Sequence, residues 1–240
     1  IFGCVGESST TQGIITILDW QYGFIQGNYI GTNPHFDNIN YRDTFGISFF
    51  STNSFNSLIR SNFICNTKLG GIGIRNISRA LSIRENIICN DSNIPITITG
   101  ASTPTPNDPY DLDTGPNDLM NYPIIDKAEY LGGDKYFIKG YLDGNKLEAP
   151  YTIEICRSSN HSSGHGGCLT SLSSFTLSGP GPFETTITVD GVNPNSLFSF
   201  SGLATNKYGS TSEFGPTIQA RRETATSSIT SSCRAKFNPS

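Results

Sequence analysis

Charge is scarce in this chain. Asp, Glu, Lys and Arg make up only 15% of the 240 residues, and 16 basic against 20 acidic side chains leave a net charge of −4. No basic stripe runs through the sequence, which excludes nucleic acid and anionic membrane surfaces as partners. No apolar run approaches the roughly 18 residues that a membrane-spanning helix requires. There is one Met and one Trp. No C-x-x-C pair occurs, so thiolate zinc sites are excluded. No Gly-rich loop follows a strand and opens a helix, so phosphate cradles of that kind are excluded as well. The first residues, Ile1-Phe2-Gly3-Cys4, carry neither Met nor a basic segment and read as the start of a mature or trimmed chain.

What is abundant is Ser, Thr, Asn and 25 Gly, with 15 Phe and 10 Tyr spread between them. Such a composition suits strands and turns rather than long helices. The frequent Ile, Phe and Tyr supply a core and argue against disorder. The six cysteines, an even number in a polar chain, point to an oxidising, extracellular setting.

The first hundred residues repeat. Ile25-Gln-Gly-Asn28-Tyr-Ile30, Ile59-Arg-Ser-Asn62-Phe-Ile64 and Ile83-Arg-Glu-Asn86-Ile-Ile88 share the pattern I-x-x-N-x-I. The last two lie 24 residues apart and the first two 34 apart, the difference fitting a loop insertion around Asn33 to Arg42. Between them, Gly46-Ile47-Ser48-Phe49 and Gly71-Ile72-Gly73-Ile74 read as short alternating strands. A unit of a little over 20 residues with several short strands fits one coil of a parallel solenoid, and the Leu frame of leucine-rich repeats is missing. Asn28, Asn62 and Asn86 are then expected to stack as a ladder of amides, each at a corner whose left-handed backbone Asn tolerates.

The string F-I-Q-G-N-Y-I-G-T at Phe24 to Thr32, with its following units, resembles the right-handed parallel β-helix repeat proteins of bacterial surfaces. The segment D-L-D-T-G-P-N-D-L-M-N-Y-P at Asp111 to Pro123 is similar to the linker that follows the β-helix in those proteins. The resemblance implies a cadherin-like or immunoglobulin-like sandwich after it, with A-T-N-K-Y-G-S-T-S-E-F at Ala204 to Phe214 as its final hairpin. The expected fold is therefore all-β. Coils span residues 1–100, an Asp/Pro-rich linker 101–125, a small antiparallel β-sandwich 126–222 and a Ser/Thr-rich tail 223–240.

Candidate sites follow. Asp108, Asp111, Asp113, Asn117 and Asp118 place several oxygen ligands within eleven residues, and calcium takes about six to eight oxygens. Ca²⁺ held by Asp111, Asp113 and Asp118 is one expectation; a solvated acidic linker making Asx turns is the other. Cys156 and Cys168 flank a Gly-rich loop and are expected to be bonded. Cys65 and Cys89 share a repeat position, where both a disulfide and a reduced stack are open. Cys4 and Cys233 have no evident local partner. Sequons stand at Asn76, Asn90 and Asn160. His161 and His165 lie in a Gly/Ser stretch that is not helical, so a metal-binding pair is not expected. Arg60 and Arg84 occupy one repeat position and could face an acidic polymer, but few carboxylates stand near them to complete a cleaving pair. Tyr29, Phe63 and Trp20 could stack on sugar faces or simply cover the exterior.

These features favour a secreted or cell-surface structural or adhesive protein, with a self-assembling filament subunit as a variant. The alternatives are a polysaccharide-active enzyme and a non-catalytic carbohydrate-binding module. Partners are then copies of itself, other surface proteins or polysaccharide, with no membrane insertion.

Overall fold

The computed structural model describes residues 13–35, 45–49, 54–76, 78–89, 93–191 and 197–222. The Asn33–Arg42 insertion lies mostly outside them, and Cys4, Asn90 and Cys233 lie wholly outside. The described chain is all-β, with parallel sheets in its first part and mainly antiparallel sheets in its second. Its only helical turns are short 3₁₀ segments at Pro116–Leu119 and Lys146–Glu148. No helix among these residues is long and apolar enough to cross a membrane.

Three parallel sheets are assembled from the repeats. The first holds β1 (Gly13–Ile17), β4 (Phe45–Phe49), β7 (Gly70–Ile74) and β10 (Ile96–Thr97). The second holds β2 (Phe24–Gln26), β5 (Phe55–Arg60) and β8 (Arg79–Arg84); the third β3 (Tyr29–Ile30), β6 (Phe63–Cys65) and β9 (Ile87–Cys89). Register follows the repeat, with Ile25 paired to Ile59 and Ile59 to Ile83, and Ile30 to Ile64 and Ile64 to Ile88. Inward isoleucines thus stack on their equivalents and form one core. Outward, Tyr29 stacks on Phe63 with ring centroids 4.9 Å apart, so these rings cover the exterior along the stack.

The asparagines form the expected ladder. Asn62 Oδ1 accepts from the Asn28 N–H and side-chain amide, both at 3.0 Å, and Asn86 Oδ1 accepts from Asn62 in the same way. The left-handed residue is not the Asn, however, but the one before it: Gly27, Ser61 and Glu85 have φ of 68°, 54° and 55°. The preceding position turns the corner, which leaves the Asn extended enough to aim its amide along the stack. The strands β4 and β7 also differ from the expected alternation, being buried at all five positions. Small residues explain it: a Cβ at Gly73 would meet the Phe45 ring at 2.9 Å, so that ring covers the outer face.

The second part contains two four-stranded sheets. One orders β15 (Gly181–Thr188), β12 (Lys135–Leu142), β11 (Ile124–Gly132) and β18 (Arg221–Arg222), with β18 parallel to β11. The other orders β14 (Cys168–Leu177), β13 (Tyr151–Ser158), β16 (Ser199–Thr205) and β17 (Ile218–Gln219). Tyr136, Ile138, Ile153, Ile155 and Phe200 meet in their shared core. The two parts are not separated by a gap, because the core inside the repeats continues into Cys156, Cys168, Leu203 and Phe214.

Candidate functional site

A stack of parallel strands ends on a row of backbone N–H and C=O groups that no further strand pairs. Here that end is closed by side chains. The Ala80 N–H donates to Ser210 Oγ at 3.0 Å, and the Ile83 N–H to Thr211 Oγ1 at 2.9 Å. The Leu81 N–H donates to Asn117 Oδ1 at 2.8 Å, while Asn117 Nδ2 donates back to the carbonyls of Leu81 and Thr211. Both Glu154 oxygens accept from the Glu85 N–H. Glu213 takes the Ile98 N–H on one oxygen and the Thr105 N–H on the other. Asn117 offers an amide with the same donor and acceptor as a peptide group and so stands in for the missing strand.

Local structure explains why these residues can reach. Asn117 and Asp118 adopt left-handed backbone, φ 48° and 61°, in the 3₁₀ turn at Pro116–Leu119, which packs on β8. Ser210, Thr211 and Glu213 belong to the hairpin after β16, whose turn Asn206 holds by accepting from the Tyr208 and Ser210 N–H groups. The Gly-rich loop between β13 and β14 is pinned. His165 Nδ1 contacts the Phe214 carbonyl at 2.6 Å, and a Cβ at Gly167 would lie 2.2 Å from the Ile88 carbonyl. Glycine is needed there for close approach rather than for mobility. His161 bonds Ser163 instead, so the two histidines do not converge.

The closing carboxylates carry unusual protonation. Burial pushes Glu213 up to about 7, against the lowering effect of its bonds to Ile98 and Thr105. Burial likewise raises Glu154.

Both disulfides join described cysteines. Cys65 and Cys89 pair across neighbouring repeats with Cα atoms 4.6 Å apart, and Cys156 and Cys168 close the loop between β13 and β14. Asn76 and Asn160 are exposed sequon positions.

The linker acids are placed differently from the expected set. One carboxylate oxygen from each of Asp108, Asp111 and Asp113 lies within 4.8 Å of the others. Asp118 does not join them; it accepts from the Ser210 hydroxyl, because the turn that delivers Asn117 to β8 carries its neighbour toward the hairpin. Asp108 takes the place foreseen for Asp118. The segment is no free hinge, since Asn121 and Asn107 bind it reciprocally to Asp108 and Tyr122. Asp111 is buried, and desolvation, with further repulsion from Glu148, Asp108 and Asp113, pushes it up to about 7. Asp108 Oδ1 and Asp113 Oδ1 are enclosed without a hydrogen-bond partner. Hard oxygens lacking donors suit a cation such as Ca²⁺, with carbonyls or water completing its shell.

The two arginines of the repeat part company. Arg60 grips Glu85 through Nε and Nη2, each 2.8 Å from a carboxylate oxygen. Among the described residues, Arg84 has no following repeat to supply such a carboxylate. Glu154, whose carboxylate feels the Arg84 charge, is committed to the Glu85 N–H. No protein-family model matches the chain, and no curated protein matches it.

Proposed function

We propose that this chain is a secreted or cell-surface structural and adhesive protein. In this reading the repeats are coils of a right-handed parallel β-helix, the second part is a β-sandwich, and the two are locked into one stiff stalk. The observation that carries it is the closure of the last repeat's backbone by Ser210, Thr211, Asn117, Glu154 and Glu213. Three separate elements, the hairpin after β16, the 3₁₀ turn and β13, would have to let go before the parts could swing. Two disulfides fit an oxidising location. The closed end also weighs against the filament variant, because head-to-tail stacking needs that edge open. The polysaccharide-cleaving alternative lacks support at Arg60 and Arg84, whose neighbouring carboxylates are already engaged.

Small-angle scattering of the purified chain tests the stalk. One rigid shape should fit the data at low and high salt; a fit requiring two independently moving bodies would overturn it. Cleavage of pectin or alginate that vanishes in Arg84→Ala would replace it with the enzymatic reading.

A second proposal concerns Ca²⁺ at Asp108, Asp111 and Asp113, supported by the two enclosed, undonated oxygens. Calcium binds the deprotonated carboxylates and so competes with the proton on Asp111. Its stabilising effect should therefore grow as pH rises through about 7. Thermal melts with calcium and with EDTA, at about pH 6 and about pH 8, read this out. The expected shift is larger at the higher pH and absent in Asp113→Ala. A melting temperature indifferent to calcium at both pH values would leave the segment an Asx-rich turn.

A further inference from the structure

A cleft of about 380 Å³ opens between β8 and the antiparallel part. That volume falls in the range of small-ligand sites. Its lining contains two cations, Arg84 and Lys207, and no carboxylate. The hydroxyls of Ser82, Thr152 and Thr176 and the ring of Tyr208 complete the part that matters here. Glu154, whose carboxylate feels the Arg84 charge, is not among the lining residues, so the charge the cleft itself presents is positive.

The repeat explains how it arises. Gln26, Arg60 and Arg84 stand in register along one column. Glu85 reaches back one repeat to hold Arg60 in a two-pronged grip. Among the described residues Arg84 occupies the last place in the column, where no later repeat sends a carboxylate back. Its Nε is buried and has no hydrogen-bond partner. A buried guanidinium donor without an acceptor is costly unless a ligand supplies one. Lys207 adds a second charge from the hairpin after β16, with its ammonium 4.9 Å from the Tyr208 ring centroid. The Tyr208 side chain is itself largely exposed, so its ring is open to a ligand face.

We propose that this cleft binds an acidic sugar. The guanidinium of Arg84 and the ammonium of Lys207 take its oxyanion, in the fork-and-point-charge manner of these two side chains. The Ser and Thr hydroxyls exchange hydrogen bonds with the sugar hydroxyls, and Tyr208 covers a ring face. A carboxylate and a sulfate share this chemistry, so both are tested. The inference goes beyond the stalk reading by giving the adhesive surface a ligand, and its failure leaves the rigid joint untouched.

The test is amide NMR on the full chain titrated with glucuronate, glucose 6-sulfate, glucose and inorganic sulfate. A sugar acid should shift the amides of Ser82, Thr152 and Lys207 with a Kd on the order of 1 mM. Stronger shifts with glucuronate assign a carboxylate ligand; stronger shifts with glucose 6-sulfate assign a sulfated one. Arg84→Gln should weaken binding about tenfold, while Arg84→Lys, which keeps charge but loses the fork, should weaken it less. Lys207→Gln, on the exposed hairpin, gives the same reading where Arg84→Gln disturbs folding. The proposal is overturned by no response to either acidic sugar, by responses unchanged in both glutamine variants, or by equal response to glucose or to sulfate alone.

Discussion

Replacing Asn117 by leucine is expected to destabilise the protein by about 3–5 kcal/mol. The estimate rests on a cost of roughly 1–3 kcal/mol for each buried backbone group left without its partner. Asn117 is wholly buried and serves three such groups: the Leu81 N–H, the Leu81 carbonyl and the Thr211 carbonyl. Leucine would fill the space but answer none of them, and it would have to hold a left-handed φ of 48°. For a chain of this size the melting temperature should fall by roughly 10 °C. Asn117→Gly separates the two causes, since glycine accepts the backbone freely and loses only the amide. It should sit between wild type and Asn117→Leu. Hydrogen exchange supplies a local readout, with Leu81 losing protection in both variants. A leucine variant that melts within a degree or two of wild type would show that water or a shifted strand satisfies the edge as well as Asn117 does.

The second large effect belongs to Glu213 and has an uncommon sign. A carboxylate whose pKa rises on folding binds its proton more tightly in the folded state, so its contribution is full below its unfolded value and is lost as pH climbs through the folded one. For Glu213 that window runs from 4.5 to about 7, and the swing is about 3 kcal/mol. Asp111, raised to about 7, and Glu154, also raised, act in the same direction. His165, lowered by burial, acts in the opposite one, its contribution fading as pH falls below its ordinary value. With EDTA present to keep cations off Asp111, stability should therefore decline between about pH 5 and about pH 8. Glu213→Gln should cost about 2–3 kcal/mol at acid pH, because its amide presents hydrogens to one of two N–H groups that need an acceptor. It should also flatten the pH dependence. An unchanged slope in denaturant midpoints against pH would mean that Glu213 is not the group responsible.

The parallel part was legible because its physics repeats. Equivalent isoleucines must stack to share a core, and equivalent asparagines must stack to satisfy their amides, so aligning I-x-x-N-x-I already aligned Ile25, Ile59 and Ile83 in space. The Cys65–Cys89 bond falls on the same alignment, although the alignment alone left a reduced stack equally open. The closing residues were not legible. Ser210 and Asn117 answer backbone groups 130 and 36 residues away, and any Ser or Asn in a Pro/Gly-rich stretch looks like ordinary turn chemistry. Asp118 misled for a related reason. Spacing along the chain placed it beside Asp111 and Asp113, but the left-handed turn that positions Asn117 hands it to Ser210. Glu213 offered no signal either, since a lone acidic residue near a hairpin is usually solvated.

The uniform register of the repeats has a consequence for how such a molecule can vary. Every repeat offers the next the same Ile and Asn positions, so length and ending are controlled by different parts of the chain. The termination chemistry reads only the final repeat's backbone at Ala80, Leu81, Ile83, Glu85 and Ile98. Gaining or losing a whole unit upstream would change the length of the parallel stack while leaving its terminator unaltered. Point substitutions in the terminator, by contrast, have no neighbouring copy to compensate for them.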